Sequence, residues 1–191
     1  LPKISSVISK IFIIYILLTI ILFFFYYINQ MSIFDAIAHS FTTISTGGFS
    51  THSESFAYFD NVKIYCVAIV FMIIGSLPFL VLAQISFSNF RTIFKDNQIR
   101  VFLIILLFAT LIIFFLANNF VEGTYFKKFI SISFNTISII SGTGFVSENY
   151  EKWGNYASVL FLILMFIGGC AGSTTGGLKV FRFQILFKYI H

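Results

Sequence analysis

Two stretches decide how this chain folds: MSIFDAIAHSFTTISTGGFS, Met31 to Ser50, and TYFKKFISISFNTISIISGTGFVS, Thr124 to Ser147. Each opens on apolar residues at helical spacing and closes on a cluster of Ser, Thr and Gly. Ile33, Phe34, Ile37 and Phe41 share one helical face in the first; Phe126, Phe129, Ile130 and Phe134 do so in the second. Each helical piece is roughly 12 to 15 residues long, too short to cross a bilayer and suited to a re-entrant segment. Past Ser45 the helix cannot continue, because Gly47-Gly48 is a poor helix sequence and favours positive φ. Backbone at membrane depth must be hydrogen-bonded or line a polar cavity. Carbonyls released there suit a dehydrating cation, whose water shell they replace. The C-terminal, partly negative end of each short helix would point inward and favour the same charge. Ser45, Thr46, Ser141 and Thr143 can keep neighbouring hydroxyls bonded.

The two stretches follow one plan. Shifting the first by 96 positions lays Ile44-Ser45 on Ile140-Ser141 and Gly48-Phe49 on Gly144-Phe145. The flanking apolar spans repeat at about the same interval. An ordinary pair of turn-rich outer loops has no need for such a copy. The expected organisation is span, re-entrant loop, span over residues 1–98, then the same again over 99–191, with the site where the repeats meet.

Composition agrees. The chain is 58% hydrophobic and 10% charged, against about 25% charged in soluble domains. Mean hydropathy is +0.96, and the 28 Phe residues lie mostly in runs with Ile and Leu. Ile11 to Ile28, Ile64 to Phe87, Val101 to Ala117 and Tyr156 onward past Ile167 are long enough to cross a bilayer. The first lacks a cleavage site and is too long for a signal peptide. Because the chain starts at Leu1 and stops at His191 just after an apolar stretch, a piece of a longer protein is expected. Cys66 and Cys170 sit inside spans and read as small hydrophobes.

Charge sets the orientation. With the N-terminus inside, Lys3, Lys10, Arg91, Lys95, Arg100, Lys179, Arg182 and Lys188 fall on the inner side with one acid, Asp96. Lys63, Lys127, Lys128 and Lys152 fall outside, with Asp35, Glu54, Asp60, Glu122, Glu148 and Glu151. Eight cationic residues against four obey the positive-inside rule. The net charge of +5 therefore reports topology rather than nucleic-acid binding. Glu54, Asp60, Glu148 and Glu151 could enrich cations at a pore mouth or be plain solvated loop residues.

The last span runs through Gly168-Gly169-Cys170-Ala171-Gly172-Ser173-Thr174-Thr175-Gly176-Gly177, five glycines in ten residues. At roughly 1 kcal/mol each relative to Ala, these break a straight helix. The reading is an intramembrane loop that projects under the carbonyl site from the cytoplasmic side and can open and close; a small-residue packing surface is the alternative. A phosphate-binding loop is excluded, since Leu178 follows Gly177 where that motif requires Lys. Gly75 and Pro78 predict a kink in the second span. His39 and His52 read as structural or solvated histidines, with pH sensing as the alternative. No nucleophile–base set, paired carboxylate or metal-ligand cluster is present in the sequence, so an enzyme is not expected.

HSFTTISTGGFSTH (His39 to His52), SIISGTGF (Ser138 to Phe145) and GGCAGSTTGGLKVFR (Gly168 to Arg182) resemble the TrkH-type subunits of the Trk/Ktr/HKT superfamily of potassium transporters. The resemblance covers essentially the whole chain and matches the second and third of that family's four span–loop–span repeats. It implies a potassium-channel-like, all-α polytopic fold in the bacterial inner membrane, with potassium as the transported ion and no covalent cofactor. The filter glycines would be Gly48 and Gly144, with ion sites formed by carbonyls of Ser45, Thr46, Gly47, Ser141, Gly142 and Thr143. Glycine at the two filter positions is the potassium-permissive choice. Gly168, Gly169, Gly172, Ser173, Thr174, Thr175, Gly176, Gly177 and Lys179 would belong to the gating loop. The resemblance further implies a homodimer and a cytosolic nucleotide-binding regulatory subunit. The chain lacks the family's first and fourth repeats. Sodium or ammonium conduction, or a non-conducting scaffold, are the alternative functions.

Overall fold

The computed structural model describes residues 4–84 and 94–190. The predicted end of the second span at 85–87, and Lys3 and Arg91 of the charge argument, lie outside them. Among the described residues the chain forms eight α-helices: α1 (Ile4–Ile28), α2 (Ile33–Ile44), α3 (Val62–Gly75), α4 (Phe79–Gln84), α5 (Asn97–Ala117), α6 (Tyr125–Ile140), α7 (Asn155–Met165) and α8 (Val180–Ile190). Only α1 and α5 are long and apolar enough to span a bilayer unbroken. At 1.5 Å per residue, α3 covers about 21 Å and falls short of the roughly 30 Å hydrocarbon core.

The short helices start and stop where the sequence dictates. Ser32 caps α2 by accepting from the Asp35 N–H at 3.1 Å, and its own hydroxyl donates to Asp35 Oδ2 at 2.7 Å. Thr124 caps α6 through the Lys127 N–H. Both helices end at the Ile-Ser pairs aligned by the 96-residue shift, with Ser45 and Ser141 as C-caps. Helix α2 packs against α1 and α3, and α6 packs against α5 and α7; the α3–α6 contact joins the two groups. Aromatic rings fill the seam: Phe134 of α6 lies 5.2 Å from Tyr65 of α3 and 5.1 Å from Phe56 between centroids.

Tyr26 of α1 is fully buried and its hydroxyl stands 2.9 Å from Thr43 Oγ1. Because Thr43 Oγ1 already donates to the His39 carbonyl at 2.6 Å, Tyr26 is the donor. Tyr26→Phe removes this one bond and should cost about 1 kcal/mol. Thermal unfolding of the detergent-purified protein should then start about 2–4 °C lower.

The second predicted span departs from expectation. Gly75 and Pro78 do more than kink it. The helix stops at Gly75, residues 76–78 are non-helical, and α4 begins at Phe79. Pro78 has no N–H to continue the ladder, so carbonyls at the end of α3 lose their helical donors. The fourth span breaks as predicted, with residues 166–179 between α7 and α8. The two breaks satisfy each other. Cys170 N–H donates to Ser76 O at 3.0 Å, Thr174 N–H to Gly75 O at 3.3 Å, and Phe79 N–H to Gly172 O at 3.0 Å. Interrupted backbone at membrane depth is tolerated when it is repaired in this way.

Candidate functional site

The two glycine loops have the same backbone. In the first, Ser45 N–H donates to Phe41 O at 3.0 Å, Thr46 N–H to Thr43 O at 3.1 Å and Gly47 N–H to Thr42 O at 2.8 Å. In the second, Ser141 donates to Ile137 at 2.8 Å, Gly142 to Ile139 at 3.0 Å and Thr143 to Ser138 at 2.9 Å. Every donor and acceptor of one set lies 96 positions from its counterpart. Positive φ recurs at the same interval: Thr46 (+50°) with Gly142 (+70°), and Gly48 (+70°) with Gly144 (+83°). Thr46 is a threonine held in the left-handed region, a strained choice for a β-branched residue. The one sequence signal for it is not local: its counterpart under the 96-residue shift is Gly142.

The loops touch. A Cβ on Gly48 would collide with the carbonyl oxygen of Thr143, so Gly48 is required both by its φ and by the approach of the other loop. A Cβ on Gly144 would meet nothing within 4 Å. Among the described residues, no hydrogen bond reaches the carbonyls of Thr46, Gly47, Ser141, Gly142 or Thr143. The Ser45 carbonyl differs, accepting from the Thr46 hydroxyl at 2.7 Å. The Ser141 and Thr143 hydroxyls bond each other at 2.7 Å, and Ser45 Oγ donates to Thr42 O at 3.4 Å. Thr46 turns instead toward the glycine-rich loop.

That loop lies directly against both filter-like loops. Thr174 Oγ1 stands 3.0 Å from Ile44 O, 3.0 Å from Gly75 O and 3.3 Å from Thr46 Oγ1. Gly176 N is 3.5 Å from where a Cβ of Gly142 would be. Gly168 N–H donates to Leu178 O at 2.8 Å and Leu178 N–H to Phe166 O at 3.0 Å, closing the base of the loop. A side chain at Gly168 would run into the Gly176 carbonyl. Thr175 Oγ1 gathers Gly169 N–H at 3.0 Å, Ser173 Oγ at 2.7 Å and Lys179 Nζ at 2.9 Å, and the ammonium also donates to Thr175 O. Lys179 thus clamps the loop on itself. Gly172 and Gly177 adopt positive φ at +80° and +70°.

Glu54, Glu148 and Glu151 line one cavity of about 450 Å³. Asp60 does not join them; it pairs with Lys127 at 2.9 Å. Burial pushes the Glu148 carboxyl above the usual carboxylate range, opposed by a Ser131 hydrogen bond and the Lys127 charge. Both cysteines are free thiols, Cys170 buried and Cys66 half-buried.

Comparison with known proteins places this geometry. The profile of the family described as TrkH, cation transport protein, matches residues 1–191. The Trk system potassium uptake protein TrkI of Halomonas elongata is 33% identical over 187 residues, covering 97% of this chain and 38% of that protein. The Trk system potassium uptake protein TrkH of Escherichia coli K12 is 34% identical, covering 98% of this chain and 39% of its own. The crystal structure of the potassium transporter TrkH from Vibrio parahaemolyticus superposes with a TM-score of 0.91 at 35% identity, over 98% of this chain and 41% of that one. The chain thus spans about two-fifths of the length of these relatives.

Proposed function

This chain belongs to the TrkH family of cation transport proteins, and from that premise we propose that it supplies two adjacent quarters of a potassium-selective pore. The observation that carries the reading is the pair of loops with matching hydrogen bonds and φ signs, in which the carbonyls of Thr46, Gly47, Ser141, Gly142 and Thr143 have no hydrogen-bond donor among the described residues. Free carbonyls at membrane depth are stable only against a polar partner, and a ring of them replaces the hydration shell of a cation. Gly48 and Gly144 are the selectivity positions, and the carbonyls of Ser45, Thr46, Gly47, Ser141, Gly142 and Thr143 contribute the ion sites. The Ser45 carbonyl, already bonded to Thr46, is the weakest of the six.

Residues 1–98 and 99–191 act as the two repeats. The matching hydrogen bonds support this, and so does the interruption of both closing spans at comparable depth, an arrangement that marks ion pathways in repeat-built transporters. The segment from Gly168 to Lys179 is the gate, seated against the filter loops by Thr174. The remaining quarters come from outside this chain. Exposed Ile33, Phe34, Ile37 and Phe41 on α2 form the face that a preceding quarter would cover. Of their α6 counterparts, Ser133 and Ile137 are buried, Ile130 is half-buried and Phe129 is exposed. Location in the bacterial inner membrane with a cytoplasmic N-terminus, homodimerisation and docking of a cytosolic nucleotide-binding subunit follow from the same reading.

The test is potassium-limited growth of a transport-deficient bacterium expressing the complete reading frame that carries this sequence. Growth at low potassium, with uptake of potassium preferred over sodium, is expected. Growth no better than vector alone, with the protein present in the membrane, would refute the proposal.

A further inference from the structure

Behind each filter loop a polar side-chain strut ties the chain leaving the loop back to its short helix. In the first loop, Asp35 of α2 accepts from the Thr51 hydroxyl at 2.6 Å. His39, one turn on and fully buried, donates from Nδ1 to the Asp35 carbonyl at 2.8 Å and accepts at Nε2 from Ser50 Oγ at 2.9 Å. The His52 N–H donates to the same Ser50 hydroxyl at 3.2 Å. Its ring stacks on Tyr58 at 3.6 Å and brings Nε2 within 3.2 Å of Asp35 Oδ1, off the line of a hydrogen bond.

The second loop repeats the arrangement with different chemistry. Ser131 stands at the position of Asp35, Asn135 at that of His39 and Ser147 at that of Thr51, each 96 residues on. Ser131 Oγ lies 3.0 Å from Ser147 Oγ, Asn135 Nδ2 donates to Ser147 Oγ at 2.7 Å, and Ser147 N–H donates to Asn135 Oδ1 at 3.2 Å. All three residues are buried. Thr51 and Ser147 are thus both tied back to the short helix, through the carboxylate of Asp35 in the first loop and the neutral Ser131 and Asn135 in the second, while His39 holds Ser50, whose counterpart is Val146.

We propose that these struts are positioning devices for ion selectivity, holding the ascending side of each filter loop at the spacing that its carbonyls need. The proposal rests on the potassium reading above. A carbonyl site discriminates by cavity size or by the number and field of its oxygens, and either depends on where the strand leaving Gly48 or Gly144 is held. Thr51 and Ser147 turn their hydroxyls to α2 and α6 and would act through that backbone. Since neutral groups suffice in the second loop, hydrogen bonding rather than charge is the working feature of the first.

The experiment measures the ratio of potassium to sodium uptake, with membrane abundance, for the complete reading frame carrying Thr51→Val, Ser147→Ala or Asp35→Asn. Thr51→Val and Ser147→Ala each remove one hydroxyl and should lower the ratio about fivefold, the effect of a lost side-chain hydrogen bond on a binding equilibrium, at near-normal abundance. Asp35→Asn keeps an oxygen for Thr51 and should hold the ratio within about twofold of the starting value, by the standard that a twofold change is well below 1 kcal/mol. Unchanged ratios in both Thr51→Val and Ser147→Ala would overturn the proposal, as would reduced abundance with the ratio intact, which marks a purely structural role. Absence of potassium uptake by the unsubstituted protein would overturn the pore reading and this inference with it.

Discussion

Gly48→Ser should abolish potassium uptake, and Gly144→Ser should reduce it by less. Both glycines sit at positive φ, +70° and +83°, where any L-residue pays of order 1–3 kcal/mol. Gly48 pays a second cost, because its new Cβ would collide with the Thr143 carbonyl. Overpacking of that kind adds about 1–3 kcal/mol or displaces the neighbour. Here the neighbour is itself a proposed ion-site oxygen, so displacement damages two filter quarters at once. Together the two costs correspond to a loss of at least about thirtyfold, at 1.4 kcal/mol per factor of ten. Gly144 has only the first cost within this chain, since nothing lies within 4 Å of its Cβ position. An equal loss in Gly144→Ser would mean that another filter loop stands against Gly144 as Thr143 stands against Gly48. Potassium uptake and potassium-over-sodium preference that survive in both variants would remove these glycines from the filter.

Deleting residues 172–176 should raise flux, in the opposite direction to the filter variants. The base of the loop is closed by the Gly168–Leu178 and Leu178–Phe166 hydrogen bonds, so the tip can be shortened without opening α7 and α8. The tip carries the Thr174 hydroxyl, which reaches Ile44 O, Gly75 O and Thr46 Oγ1, and Gly176, which backs onto Gly142. Flux increased several-fold or more, measured as rubidium uptake into proteoliposomes, is the expected result. Thr174→Val, which removes the latch and leaves the obstruction, should move flux the same way by a smaller factor, in keeping with about 1 kcal/mol for a neutral hydrogen bond. Unchanged flux in the deletion would favour a glycine-rich packing surface over a gate.

How legible this was in the sequence differs from feature to feature. Helices α2 and α6 are readable because their apolar spacing and their glycine ends are local; their Ser32 and Thr124 caps emerge only in the structure. The break in the fourth span was readable for the same reason, since five glycines in ten residues defeat a helix on their own. The weight of Gly75 and Pro78 was underestimated. One glycine and one proline in an apolar run have the same appearance whether they bend a helix or end it, and the partner that makes ending it affordable, the 168–179 loop, lies some 95 residues away. Thr46 was read for its hydroxyl; its left-handed backbone, set by the loop it belongs to, carried no local mark. The sequence leaves His39 structural or solvated; it is buried with both ring nitrogens bonded, and its bonds to the Asp35 carbonyl and Ser50 could not be foreseen from spacing.

The two glycine loops therefore divide cleanly between the two kinds of information. Local chemistry is enough to read from the residues that the loops exist, that their sequences match at a shift of 96 residues and that they follow short helices, because helix propensity and hydropathy act over a few neighbouring residues. The tertiary structure alone decided that Gly48 meets Thr143, that Thr174 reaches the carbonyl of Ile44, and that the broken second span completes the broken fourth. Each of those is a contact between segments far apart in the chain, and each has on at least one side a backbone group that every residue carries and no sequence pattern distinguishes.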